Sequence, residues 1–326
     1  MLPEVRIMSE ALLVVQGLTK HFHTKRGLFR GHLVVKAVDE VSFEVPCGRT
    51  LGLVGETGCG KTTLARCILR LLEPTQGQIL FEGRDILKLE GDELRRLRRK
   101  MQIVFQNPFL SLDPRMRIRD IVGEPLITHT SMRDSRLFGH TATLLERVGL
   151  ERGHIYRYPH ELSGGQNQRV ALARAIALEP SFIILDEPTS SVDVSIQARI
   201  INLLVDLQRE LGLTYLFISH DLSVVRYVSD RIAVMYLGKI VETGQSDAIF
   251  QRPYHPYTKL LLASIPVPDP DVEVETKVPR GDLQEESPPE GCSFYPRCTY
   301  RMDVCKKAPA QKLVQEGHQV ACHLYQ

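Results

Sequence analysis

The chain has 326 residues, 43% of them hydrophobic and 25% charged, which excludes a disordered, collagen-like or coiled-coil protein. Its 41 Lys and Arg against 39 Asp and Glu leave a formal charge of +2, too balanced for nucleic-acid binding to follow from charge. No apolar run approaches the ~20 residues of a membrane-spanning helix, and the short run 11–15, with Glu10 in front, is no signal peptide.

The length suits about two domains. Residues 12–18 and 33–45 read as Val- and Leu-rich strands separated by a basic loop, 21–32, and Pro46-Cys47-Gly48 turns the chain into a strand at 50–54. From there strands and helices alternate, which predicts a mainly parallel sheet. Its buried strands are expected at 51–54, 103–105, 182–185, 214–218 and 232–236. Residues 92–100 (DELRRLRRK) are read as a solvated helix whose Asp92 and Glu93 suit its N-terminal dipole. Residues 107–177 are strand-poor and helical, an insertion between core strands. Ile196, Ile200, Leu203, Leu204, Leu207 and Leu211 repeat at helical spacing and Gly212 closes the run. Residues 266–290, rich in proline and acids, read as a linker to a Cys-rich tail. Met8 looks like a more natural start than Met1.

Gly55-Glu56-Thr57-Gly58-Cys59-Gly60-Lys61-Thr62 fits G-x-x-x-x-G-K-[ST] and stands between a strand and a helix. Its backbone N–H groups, with Thr63 beyond them, would face phosphate oxygens. Lys61 would neutralise the β- and γ-phosphates and the Thr62 hydroxyl would ligate Mg²⁺. Cys59 is expected to act through its backbone, and a bulky thiol reagent there to block nucleotide binding. The strand 182–185 ends in Asp186, placed to hold Mg²⁺, and Glu187, placed to deprotonate an attacking water. Ser163 followed by Gln166 is a capping box, and Gly164 and Gly165 let a phosphate approach its helix. Two phosphate-grade helix N-termini in one chain point to a head-to-tail dimer.

On these residues the chain resembles an ABC-transporter ATPase, with Walker A at 55–62, the signature LSGGQ at 162–166 and Walker B at 182–187. The resemblance implies an α/β P-loop NTPase fold with an N-terminal antiparallel β subdomain, an inserted helical subdomain at about 107–177 and a C-terminal Cys-rich extension. It places the ATPase domain at 1–250 and the extension at 251–326. It makes Gln106 the Q-loop glutamine near Mg²⁺ and water, Asp193 part of the D-loop and His220 the switch histidine on the γ-phosphate. Phe22, with Phe29 as a competitor, would stack on adenine. Ser191-Val192 stand where the family more often has Ala-Leu. Asn167 replaces a common Arg or Lys and is expected to alter a surface contact.

The segments PYHPYTKLLLASIP, GCSFYPRC and GHQVACHL of the tail, with NPFLSLDPR and DVSIQA earlier, resemble dipeptide and oligopeptide importer ATPases. Tyr158-Pro159-His160 and the long first loop lean toward the F-type subunit. This resemblance implies a peripheral subunit on the cytoplasmic face of the membrane. Its partners would be a second ABC ATPase, two membrane permeases and, indirectly, an external peptide-binding protein. Cys292, Cys298, Cys305 and Cys322 lack the tight C-x2–4-C spacing of structural zinc. In a tail too short for its own core they suggest a metal that folds it, either a [4Fe–4S] cluster, as the subfamily implies, or zinc, with free thiols or disulfides as the alternative. His318 and His323 are read as supporting or surface residues. A nickel or glycoside importer would carry a very similar ATPase. A soluble ABC ATPase acting on nucleic acid or the ribosome would usually show two nucleotide domains, and a non-hydrolysing partner would lack Glu187 or His220.

Overall fold

The structure, a computed structural model, describes residues 11–26, 30–190, 192–265 and 290–326. The expected start at Met8, Phe29, Ser191 and nearly all of the linker lie outside them. In chain order come β1 (Ala11–Arg26), β2 (Arg30–Pro46), β3 (Thr50–Val54), α1 (Lys61–Ile68), β4 (Gln76–Phe81), β5 (Arg84–Asp85), α2 (Gly91–Lys100) and β6 (Met101–Val104). Four helices follow without a strand: α3 (Pro108–Ser111), α4 (Ile118–His129), α5 (Asp134–Arg147) and α6 (Gly164–Ile176). Then come β7 (Phe182–Asp186), α7 (Val194–Leu211), β8 (Thr214–Ser219), α8 (Leu222–Val228), β9 (Arg231–Tyr236) and β10 (Lys239–Gln245). The chain ends with α9 (Ser246–Gln251), α10 (Pro256–Ala263), β11 (Lys312–Gln315) and β12 (His318–Val320).

Two units divide these elements. The first comprises Met1–Val14, Glu44–Thr50 and Leu80–Ile218. In it β6 pairs parallel with β7, Met101 opposite Phe182, and β7 with β8, Asp186 opposite Ile218. Every residue of β7 is buried, because a parallel strand covered on both faces must be apolar throughout. The helix α2 buries nothing and carries acids in its first turn and bases in its last, the solvated helix that DELRRLRRK predicts. Gly212, at φ 64°, closes α7 in the left-handed conformation.

The second unit comprises Val15–Phe43, Leu51–Ile79 and Ser219–Gln326. Its sheet runs β11-β12-β10-β9-β3, with β3 parallel to β9 and the other pairs antiparallel. A separate sheet carries β2, β1 and β4 in that order. One expectation changes here. The basic stretch read as a loop is strand over 21–26 and 30–32, since backbone pairing tolerates a charged sequence that propensity disfavours. The tail, read as lacking a core of its own, also joins the sheet: β12 pairs with β10, with Glu242 opposite Val320. Phe294 and Val320 are fully or almost fully buried. The strand β10 escaped notice because its residues 242–245 are polar, although Glu242 is fully buried.

Glu242 anchors the tail. Its carboxylate accepts the backbone N–H groups of Tyr254 (2.8 Å) and His255 (2.9 Å) and the Nε2 of His318 (2.8 Å). A buried charge is tolerable only when its lone pairs are met in this way. His318 is therefore neither a surface group nor a stray one. It also lies edge-on to Tyr254, whose ring meets Tyr325.

Candidate functional site

In the second unit β3 delivers the chain to the loop 55–60, and Gly60, at φ 110°, starts α1. A side chain at Gly60 would strike the carbonyl of Ala37, so the loop follows this path only with glycine there. Thr57 and Gly58 stand exposed on the crest, while Thr62 and Thr63 are half-buried at the helix start. Lys61 is buried, and its Nζ donates to the carbonyls of Gly55 (2.6 Å) and Glu56 (3.0 Å). A buried ammonium held by neutral groups, these two carbonyls and Cys59 Sγ (3.8 Å), suits a polyanion. Cys59 is buried beneath the loop and its carbonyl accepts the N–H of Gly238 (2.8 Å). Burial raises the Cys59 thiol above its ordinary value, with Lys61 pulling the other way. A thiol reagent therefore meets an enclosed, protonated group and needs the loop to open first.

The same unit holds Phe22 and His220. Phe22 is 37% exposed on β1, with the Lys20 ammonium 5.3 Å from its ring centre. His220 is exposed in the turn after β8. That turn is shaped by Ser219 Oγ, which accepts the Asp221 N–H (3.0 Å), and by Asp221, which caps α8 through the N–H groups of Ser223 and Val224.

The first unit holds the carboxylates and the capped glycine turn. Asp186 ends β7, 3% exposed. Glu187 follows at φ 49°, a left-handed conformation that costs a non-glycine residue about 1 kcal/mol. Its N–H is fastened to the Ile218 carbonyl (2.9 Å), and its Oε2 accepts the Nε2 of Gln106 (2.8 Å). Two residues chosen separately from the sequence thus meet at one carboxylate. Ser190 Oγ donates to the Glu187 carbonyl (3.1 Å), and Asp193 stands exposed before α7.

At the signature turn the capping box forms: Ser163 Oγ accepts the Gln166 N–H (3.3 Å) and Gln166 Oε1 accepts the Ser163 N–H (2.9 Å). Gly165 lies so close to Ile196 that a Cβ would meet its methyl at 2.5 Å, so this glycine also serves helix packing. The surface role expected for Asn167 is wrong. Asn167 is fully buried, and its Nδ2 donates to the carbonyls of Pro159 (2.9 Å) and Leu162 (3.3 Å). It ties the loop before the signature to α6, a task a cation could not perform without burying its charge. His154, unmarked in the sequence, orients Gln166. Its Nδ1 is on the Glu151 carbonyl (3.0 Å), which leaves Nε2 to accept from the Gln166 amide (3.3 Å).

The tail's four cysteines share one neighbourhood. The Cys292 N–H donates to the Cys305 carbonyl (2.9 Å). Burial first, then repulsion from Cys322, Cys305 and Cys298, pushes the Cys292 thiol up to about 11. Among the described residues, however, no three His, Cys, Asp or Glu side chains stand close enough to hold a metal ion. The ready ligand set expected from the sequence is therefore not formed among the described residues. His323 Nε2 lies on the Lys307 carbonyl (3.0 Å), not among the thiols.

Residues 38–190 match the family described as ABC transporter, and residues 241–305 match the oligopeptide/dipeptide transporter C-terminal region. An oligopeptide transport ATP-binding protein of Bacillus subtilis, AppF, is 49% identical over 97% of this chain and 98% of its own. A di/tripeptide transport ATP-binding protein of Pseudomonas aeruginosa, DppF, is 44% identical over 96% and 98%. Among solved structures, a dimeric ATP-binding cassette with ADP and Pi bound superposes with a TM-score of 0.65 at 29% identity, covering 72% of this chain and 98% of its own.

Proposed function

The chain belongs to the ABC-transporter ATP-binding proteins of peptide importers, and from that premise we propose that it binds and hydrolyses ATP to drive di- or oligopeptide uptake, as the F-type subunit. The observation that carries hydrolysis is the Gln106–Glu187 contact at 2.8 Å, which joins a glutamine able to hold a water to the carboxylate able to deprotonate it. In the proposed reaction Glu187 takes the proton of a water attacking the γ-phosphate in line. Lys61 and the loop N–H groups of 57–63 hold the phosphates, His220 meets the γ-phosphate and Phe22 the adenine. Thr62, Asp186 and Gln106 would hold Mg²⁺, which supplies charge for the leaving phosphate. Ser163, Gly164, Gly165, Gln166 and Asp193 would serve the nucleotide of a partner ATPase arranged head to tail.

Glu187→Gln should keep ATP bound and lower turnover by about 10²–10⁴-fold, the usual share of a general base. Turnover at the wild-type rate would show that another group is the base.

Exposed Phe109 and Leu110 on α3 support the permease partners, as apolar side chains left for another surface. No helix among the described residues is long and apolar enough to cross a membrane; the proposed place is peripheral, on the cytoplasmic face. The functional division proposed is 1–250 for the ATPase and 251–326 for the extension.

The finer reading of the extension is a [4Fe–4S] cluster on Cys292, Cys298, Cys305 and Cys322, with zinc as the alternative. Four gathered thiols support a soft metal. Their failure to converge on one point weighs against zinc more than against a cluster, whose irons each take one thiolate. Near-stoichiometric iron and sulfide after anaerobic purification, lost in Cys298→Ser, would establish the cluster; a colourless, metal-free protein would discard it.

A further inference from the structure

Glu56 is an odd residue for its place, an anionic side chain inside a loop built to receive a polyanion. Its carboxylate is answered from the far end of the chain. Arg297, the residue before Cys298, sets both guanidinium nitrogens on it, Nη1 to Oε2 at 2.8 Å and Nη2 to Oε1 at 3.0 Å. The two side chains are only 11% and 26% exposed, so solvent screens the pair weakly. The fork raises the Arg297 guanidinium above its ordinary value. Arg297 is itself wedged over the rings of Tyr236 and Phe294. On the backbone side of the same residue, the Glu56 N–H donates to the Tyr257 hydroxyl (2.9 Å). The Glu56 carbonyl meanwhile receives Lys61 Nζ. One loop residue is therefore gripped by the extension at two points, α10 and Arg297, and by the lysine expected to hold phosphate.

We propose that Arg297 is a positioning residue of the nucleotide site: by neutralising and fixing Glu56, the C-terminal extension sets the affinity of the P-loop for ATP. This rests on the reading of residues 55–63 as the ATP site. The physical reason is twofold. An unpaired carboxylate in the loop would repel the incoming phosphates across a short, poorly screened distance. A bidentate arginine also holds the loop backbone in one geometry, which a point charge does not.

The test uses the full chain and Mg-ATP, reading Kd by calorimetry and KM and kcat separately. Arg297→Ala should weaken ATP binding about tenfold, the loss expected for one charged hydrogen-bonded partner, with KM rising and kcat nearly held. Adding Glu56→Gln, which removes the charge left bare, should bring Kd back to within about threefold of wild type. Because the charges are mostly buried, raising the salt concentration should change the Arg297→Ala deficit only slightly. A merely structural contact would lower the unfolding temperature without moving Kd, and its loss would not be rescued by Glu56→Gln; either result overturns the proposal. Should Arg297→Ala fail to fold, Arg297→Lys keeps the charge and loses the fork, and a wild-type Kd in that variant overturns it as well. Lys61→Ala tests the underlying reading by itself: undiminished ATP binding there would remove the ATP site from residues 55–63, whatever Arg297 does.

Discussion

The P-loop and the signature turn are both helix N-termini suited to phosphate, but only the P-loop adds side-chain bonds from the far end of the chain. The signature turn is held by near neighbours: Ser163 and Gln166 cap each other, and Asn167 binds carbonyls only five and eight residues back. The P-loop has short bonds of its own from Lys61 to Gly55 and Glu56, but it is also held from 201 and 241 residues away, by Tyr257 and Arg297. A turn with local bonds carries its geometry in its own sequence. A loop with remote bonds can be adjusted by whatever happens to the remote segment, here the extension that marks this branch of the family.

Acid should break the remote side first. His255 caps α10 by accepting the Tyr257 N–H at Nδ1 (3.0 Å), which only the neutral ring, with its proton on Nε2, can do. Burial, against a partial counter-pull from Glu242, lowers His255 from 6.5 to about 4. The unfolded chain thus binds more protons between those values, so the stability is fully present above pH 6.5 and is lost as pH falls toward 4. The loss is on the order of 3 kcal/mol. Amide exchange at pH 5 should loosen residues 55–58 and 255–258 while the start of α6 stays protected. Equal loosening of both regions would show that the two turns are not held differently.

The local side is tested next by Asn167→Ala. The Leu162 carbonyl loses this donor and the Pro159 carbonyl keeps only the Leu162 N–H, at about 1–2 kcal/mol, so thermal unfolding should come a few degrees earlier. The ATP Kd should stay unchanged, because the P-loop does not depend on this clamp. A smaller effect is expected from Ser163→Ala, about 1 kcal/mol for a lost N-cap. Here Gln166 keeps His154 as a partner, and a double variant with His154→Ala should lose more than the sum of the single changes.

Much of the site was legible because its chemistry lies in contiguous runs. A strand, glycines and Lys61 announce a phosphate loop, and an apolar strand ending in Asp186 and Glu187 announces a metal-and-water site. Less legible was anything that depends on where a side chain is buried. Asn167 looks polar and superficial in one dimension and is fully buried in three. His154 carried no signal, since a lone histidine outside a motif is unremarkable until its ring nitrogens have partners.

The sequence by itself determined the order of motifs, the helical region between β6 and β7 and the capping box, because each depends on residues within a few turns of one another. Only the tertiary structure decided that Glu242, His318 and Tyr254 knit the tail to β10, that β12 extends the sheet, and that Arg297 reaches Glu56. Those contacts join segments far apart in sequence, where neither periodicity nor spacing speaks. They are set by which polar groups remain to be satisfied once the apolar surfaces have closed.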